Sequence, residues 1–139
     1  MSKINRPDLV LVHGWAFGAA VFTPLATRLR EVANIHFVEL PGYGSNFDCE
    51  ASSAELADWL YNNTPADAMW LGWSMGAMLS VTVALKFPEH IEKLILVGGT
   101  PKFANGEDWS KGVDQVVLDQ FKREIPHNTE RLLRRFTQL

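Results

Sequence analysis

The sequence predicts an α/β protein: a doubly wound, mostly parallel sheet with helices on both faces, followed by a helical insertion. Three observations predict it. Short, largely apolar runs recur at Leu9–Val12, Ile35–Leu40, Ala68–Trp73 and Leu94–Val97, as strands buried on both faces require. Stretches of helical periodicity separate them, and right-handed crossovers turn such alternation into a parallel sheet. After Pro101 the strands stop and helical periodicity continues alone.

The elements follow in order. Leu9–Val12 ends at His13-Gly14. Thr23 and Pro24 suit an N-cap and first helical residue, and Leu25, Leu29 and Val32 supply the helix's apolar stripe. The second strand stops at Pro41-Gly42-Tyr43-Gly44. Ser52 and Glu55 have capping-box spacing ahead of a helix that buries Leu56, Trp59 and Leu60, closed by Asn62-Asn63-Thr64-Pro65. The third strand runs into an almost wholly apolar helix, Met75 to Phe87, which Pro88 ends. Residues 102–112 are polar and contain glycine. Two helical stretches follow, one with Val113, Val116, Val117 and Phe121 on a face, the other with Leu132, Leu133, Phe136 and Leu139. The expected organisation is a core over residues 1–101 and the first part of a helical lid over 102–139.

Composition narrows the class of function. Of 139 residues 47% are apolar and 21% charged, which suits an ordered globular domain. A net charge of −3 points to neither nucleic acid nor an anionic membrane as partner. No apolar run approaches the ~20 residues of a membrane span. The polar start, Met1 to Asp8, has no signal-peptide core. Cys49 is alone, so neither a disulfide framework nor a thiolate metal site is expected, and nothing calls for a cofactor. A soluble, cytoplasmic protein is the expectation.

Gly72-Trp73-Ser74-Met75-Gly76 fits G-x-S-x-G, with a buried strand before it and an apolar helix after it. In that setting a serine sits on a strained turn with its hydroxyl aimed out of the sheet's C-terminal edge. The flanking glycines let strand and helix pass closely. The helix N-terminus adds positive potential near a developing oxyanion. The competing reading is a plain strand–helix turn with a capping serine, and the local context favours the nucleophile. His13-Gly14-Trp15 follows the first strand, where a second oxyanion donor belongs. The amides of Trp15 and Met75 form the candidate hole, each donor being worth ~3 kcal/mol in the transition state. The His13 side chain reads as a structural brace. Gly42-Tyr43-Gly44 lacks the third glycine of a phosphate loop and reads as a tight turn.

A serine nucleophile needs a histidine as base and an acid to orient it, later in the chain in this fold. After Ser74 come His90, at the opposite edge of the sheet, and His127, between the two last helices. Both read as solvated loop residues. Asp108 follows the fourth strand but lacks a histidine partner. Arg131, Arg134 and Arg135 lie on the last helix, Arg131 and Arg135 on one face, a pattern that usually marks a solvated surface.

Leu11-Val12-His13-Gly14-Trp15, Leu40-Pro41-Gly42-Tyr43-Gly44-Ser45 and Leu71-Gly72-Trp73-Ser74-Met75-Gly76 resemble the α/β-hydrolase superfamily, and within it the carboxylesterases of biotin synthesis. The likeness runs on through Trp109, Val117-Leu118, Phe121 and Arg135-Phe136. It implies hydrolysis of the methyl ester of a pimeloyl chain held on acyl carrier protein. Ser74 would be the nucleophile and the Trp15 and Met75 amides the oxyanion hole. The implied substrate pocket is touched by Trp15, Ser74 and Met75 and by Phe136, Thr137, Gln138 and Leu139. Arg131 and Arg135 are implied to meet the acidic carrier protein. The family's first antiparallel strands are expected to be short or absent. The chain is expected to stop inside the lid, ahead of the acid and the histidine. By itself it should therefore be inactive and self-associating. Another α/β hydrolase, such as a short-chain esterase or a lactonase, and a non-catalytic truncated module are the alternatives.

Overall fold

The computed structural model describes residues 6–136, with side chains through Arg134. Four strands, β1 (Asp8–Val12), β2 (Asn34–Val38), β3 (Ala68–Trp73) and β4 (Ile91–Val97), form one parallel sheet in the order β2-β1-β3-β4. Helices α1 (Thr23–Leu29), α2 (Leu56–Asn63) and α3 (Met75–Lys86) make the crossovers, and α4 (Gln115–Phe136) follows the sheet. The chain divides into two compact units, 1–99 and 100–139.

Alternation along the central strands explains why both faces of the sheet are covered. Val10 and Val12 of β1 join Trp70 of β3, Ala57 and Leu60 of α2 and Val83 of α3 in one cluster. Leu9 and Leu11 point the other way, onto Phe22 and onto Ala26 of α1, with Met69, Leu71 and Trp73 packed around them. Leu11, Val10, Val12, Leu60 and Trp70 are fully buried, and burying each such side chain contributes about 1.5–3 kcal/mol. The outer strand differs. Ile95, Leu96 and Val97 of β4 are 45%, 49% and 45% exposed, so its C-terminal half presents apolar side chains to solvent.

Local chemistry departs from expectation at three places. Thr23 is not a capping residue. A 3₁₀ turn, Ala19–Phe22, leads into α1 and the Thr23 amide bonds back to Ala20, so the helix start needs no side-chain acceptor. Val32 is not part of the α1 stripe either: the helix ends at Leu29, Val32 is exposed, and Ala33 takes the buried place on the way to β2. Glu55 does reach back to the Ser52 amide at 2.8 Å. The Ser52 hydroxyl, however, donates to that same carboxylate at 2.6 Å rather than capping the helix. These two bonds, the hydroxyl's first, hold the Glu55 carboxyl below its usual range.

In the second unit, Lys102 grips Asp108 at 2.6 Å, a bridge pairs Ala104 with Val113, and the Asp114 carboxylate caps α4 at the Val116 amide. Val113 thus precedes the helix. Val116 and Val117 are exposed, Phe121 is partly buried and Leu132 is buried. Asn128, at φ −144° and ψ 40°, kinks α4 two residues after Pro126, so the two helical stretches meet without a loop.

His90 is not solvated, contrary to the sequence reading. Only 6% of it is exposed. It lies in the 3₁₀ turn Pro88–His90, beside the rings of Tyr61 and Trp70. Thr64 Oγ1 donates to the Leu60 carbonyl, so it accepts from His90 Nε2, 3.0 Å away, and the ring's proton sits there. Burial pushes the His90 pKa down, opposed by Asp67. The sign follows directly. Below the ordinary histidine value of ~6.5 the unfolded chain takes up the proton first, so stability is full above that pH and falls as the pH drops through the depressed folded value. Thermal unfolding from pH 7.5 to 5 should show this loss, and His90→Gln should flatten the slope. An unchanged slope in the variant would assign the acid sensitivity elsewhere.

Candidate active site

Chain direction alone creates the site. β1 and β3 are neighbours, yet β1 feeds α1 on one face while β3 feeds α3 on the other. The carboxyl edge where such strands part is the usual place for a ligand in an open α/β sheet. Ser74 and the His13–Ala19 loop both leave the sheet at this edge.

Ser74 has φ 55° and ψ −117°. For a residue with a Cβ this region costs about 1–3 kcal/mol and persists only where neighbours force it. Here the packing does so. A Cβ placed on Gly72 would lie 2.5 Å from the Gly76 carbonyl oxygen and 2.7 Å from Ala77 Cα, and one on Gly76 would strike the Val12 carbonyl. The helix therefore rests on the backbones of β3 and β1 with no side chain between. The Ser74 amide donates to the Val97 carbonyl at 2.9 Å, tying the turn to β4. The Met75 amide, at the first residue of α3, belongs to a helix N-terminus, where unpaired donors concentrate.

The β1 loop is braced from β2. His13 is fully buried. Its Nδ1 donates to the Gly14 carbonyl at 2.8 Å and its Nε2 accepts the Leu40 amide at 3.2 Å, a pairing that only the neutral ring protonated on Nδ1 makes. Tyr43 meets that ring edge-on at 4.7 Å, and its hydroxyl accepts the Ala16 amide at 3.2 Å. Glu39 Oε1 accepts the Ala19 amide at 2.6 Å, while its other oxygen is buried with no hydrogen-bond partner among the described residues. A Cβ on Gly14 would lie 3.2 Å from Ser74 Cβ, so this loop's backbone flanks the serine, two residues along from β1 and one before Trp15. Phe17 packs edge-on against Trp73 at 4.9 Å. Sequence reasoning missed Glu39 and the Tyr43 hydroxyl. Their only signal was the step from a strand into Leu40-Pro41-Gly42-Tyr43-Gly44.

Three of the four histidines are committed elsewhere. His13 braces the loop, His36 pairs with Asp8 at 2.7 Å, and His90 is buried before β4. His127 is exposed in the second unit, at the kink of α4. Among the described residues no hydrogen bond joins a histidine to the Ser74 hydroxyl. Asp108 is held by Lys102, which keeps its carboxyl below the usual range. Arg131 is exposed on α4. Arg135 and Phe136 belong to the same helix but their side chains, like Thr137, Gln138 and Leu139, lie outside the described residues.

A strained serine between a parallel strand and a helix, beside a braced loop from the next strand, defines a class that comparison with known proteins identifies. The profile of the alpha/beta hydrolase fold family matches residues 7–139, and the chain belongs to that family. It is similar to proteins named pimeloyl-[acyl-carrier protein] methyl ester esterase. The Photobacterium profundum protein is 38% identical over 95% of this chain and 52% of its own length. The Shewanella oneidensis protein is 37% identical over 94% and 49%. The chain thus spans about half the length of the curated relatives it matches. Among solved structures, an esterase from Exiguobacterium antarcticum superposes with a TM-score of 0.84 at 22% identity. It shares 95% of this chain and 53% of its own. A bromoperoxidase from Bacillus anthracis reaches 0.78 at 20% identity, over 95% and 51%. At such identities these two establish the fold alone.

The contact at Gly76 has a sign that magnitudes decide. Alanine is the better helix former by about 1 kcal/mol, but its methyl would meet the Val12 and His13 carbonyls, and overpacking against backbone costs about 1–3 kcal/mol or more. Gly76→Ala should therefore lower the melting midpoint by several degrees. A midpoint equal to or above that of the unaltered chain would show that strand and helix can separate at no cost.

Proposed function

We propose that this chain is the nucleophile-bearing part of a serine carboxylesterase that hydrolyses the methyl ester of pimeloyl-[acyl-carrier protein]. The Ser74 backbone, φ 55° between two glycines that admit no side chain, is the observation that carries the reading. The printed names of the relatives supply the substrate. Ser74 Oγ attacks the ester carbonyl carbon, the C–OCH₃ bond breaks, and methanol leaves with the proton a base has taken from the serine. Water then releases the acid from the acyl-enzyme. The amides of Trp15 and Met75 hold the oxyanion in both steps. Residues 102–139 are read as the first part of a lid. Arg131 and Arg135 meet the acidic carrier protein.

In an enzyme that joins this chain to an acid and a histidine, Ser74→Ala should lower kcat on the order of 10⁶-fold. Glutamate at Arg131 and Arg135 should weaken turnover of the carrier-bound ester and spare a small free methyl ester, with the gap closing as salt rises. More than a few per cent of activity in Ser74→Ala would sink the nucleophile assignment. Equal losses on both esters would remove the carrier contact.

The 139-residue chain itself should turn over esters negligibly, since an oxyanion hole without a base leaves only ~10³–10⁴ over the uncatalysed rate. It should also self-associate through β4, whose Ile95, Leu96 and Val97 are exposed on an outer strand, because open edges and apolar patches recruit partners. Light scattering and an ester assay on one preparation check both. A monomer with normal turnover would mean that His90 or His127 moves to Ser74 and serves as base.

A further inference from the structure

We infer that Tyr43 is a positioning residue: its hydroxyl takes the Ala16 amide and so sets the turn that carries the Trp15 donor. The inference rests on the reading of Ser74 and Trp15 given above.

Ala16 has φ 65°, a left-handed conformation in a residue with a Cβ. Like Ser74, it holds that conformation only if its surroundings impose it. Three ties fix the β1 loop to β2: His13 at Gly14 and Leu40, Tyr43 at Ala16, and Glu39 at Ala19. The Tyr43 tie alone acts on the strained residue itself, and on the amide next to that of Trp15. It commits the Ala16 amide to the β2 side, directly beside the Trp15 amide that the proposed reading assigns to the oxyanion.

The hydroxyl is itself well anchored. Its ring packs against the cluster of Val10, Val12, Val38 and Leu40 and stands edge-on to His13. Its backbone is pinned in the tight turn, with the Tyr43 amide donating to Leu40 at 3.0 Å and the Asn46 amide donating to Tyr43 at 2.8 Å. Position is thus inherited from the buried ends of β1 and β2. A phenylalanine would keep the ring, the packing and the turn, and delete only the bond to Ala16.

Tyr43→Phe in the 139-residue chain separates the roles. Amide hydrogen exchange followed by NMR should speed up about tenfold at Ala16, the factor expected for one net hydrogen bond, with Ala19 and Leu40 unchanged. In an enzyme that joins this chain to an acid and a histidine, an aryl fluorophosphonate then probes the oxyanion site. Ser74 Oγ bonds to phosphorus, fluoride departs, the serine proton passes to the histidine, and the P=O oxygen occupies the hole. The limiting labelling rate should fall about tenfold with the half-saturating concentration unchanged, since a loosened donor acts on the transition state rather than on binding. Unaltered exchange at Ala16, or an unaltered limiting rate in a variant whose parent labels normally, overturns the role of Tyr43 and leaves Ser74 in place. If that enzyme with Tyr43 intact takes up no label, or its Ser74→Ala variant labels equally well, the nucleophile reading fails and this inference with it.

Discussion

Everything at the carboxyl edge depends on the close approach of α3 to β1. The helix begins one residue after Ser74 and lies so near the neighbouring strand that Gly76 faces the Val12 and His13 carbonyls with no room for a methyl group. That approach forces the chain to leave β3 through a left-handed serine, because a wider turn would lift the helix off the sheet. It also brings the end of β1 against the serine, which is why Gly14, too, has Ser74 for a neighbour. The Ser74 amide's bond to Val97 draws β4 into the same arrangement. One short helix-to-strand distance thus couples three parallel strands to one side chain.

The site is asymmetric in how it is held. The serine side is fixed by exclusion, through glycines that permit contact and an Ala77 whose methyl meets the Gly99 position. The loop side is fixed by directed bonds from His13, Glu39 and Tyr43. Exclusion tolerates no added volume, whereas directed bonds tolerate volume but no lost acceptor. The Glu39 carboxylate combines both. It accepts the Ala19 amide and fills the space that side chains at Gly18 and Gly44 would need.

What the sequence revealed and what it hid divide along the same line. The strands, their parallel direction and the strand–turn–helix around Ser74 were readable, because periodicity and the spacing of Gly72 and Gly76 are local signals. The bracing role of His13 was readable for the same reason, from its place directly after a strand. Thr23 was misread as a cap because a 3₁₀ turn, invisible to residue preference, already satisfied the helix start. His90 was misread as solvated because its burial comes from Tyr61 and Trp70, both twenty or more positions away. Glu39 and the Tyr43 hydroxyl went unnoticed because their partners, Ala19 and Ala16, are reached only across the sheet. Pairing across strands leaves no trace in a single local window.

Ala16 and Ser74 share a positive φ, which glycine adopts freely and other residues resist. A glycine at either position would relieve about 1–3 kcal/mol of strain and give back roughly 0.5–1 kcal/mol of it to the freer unfolded chain. At Ser74 the same exchange removes the hydroxyl on which the proposed chemistry turns. Fold stability and that chemistry thus pull on this one position in opposite directions.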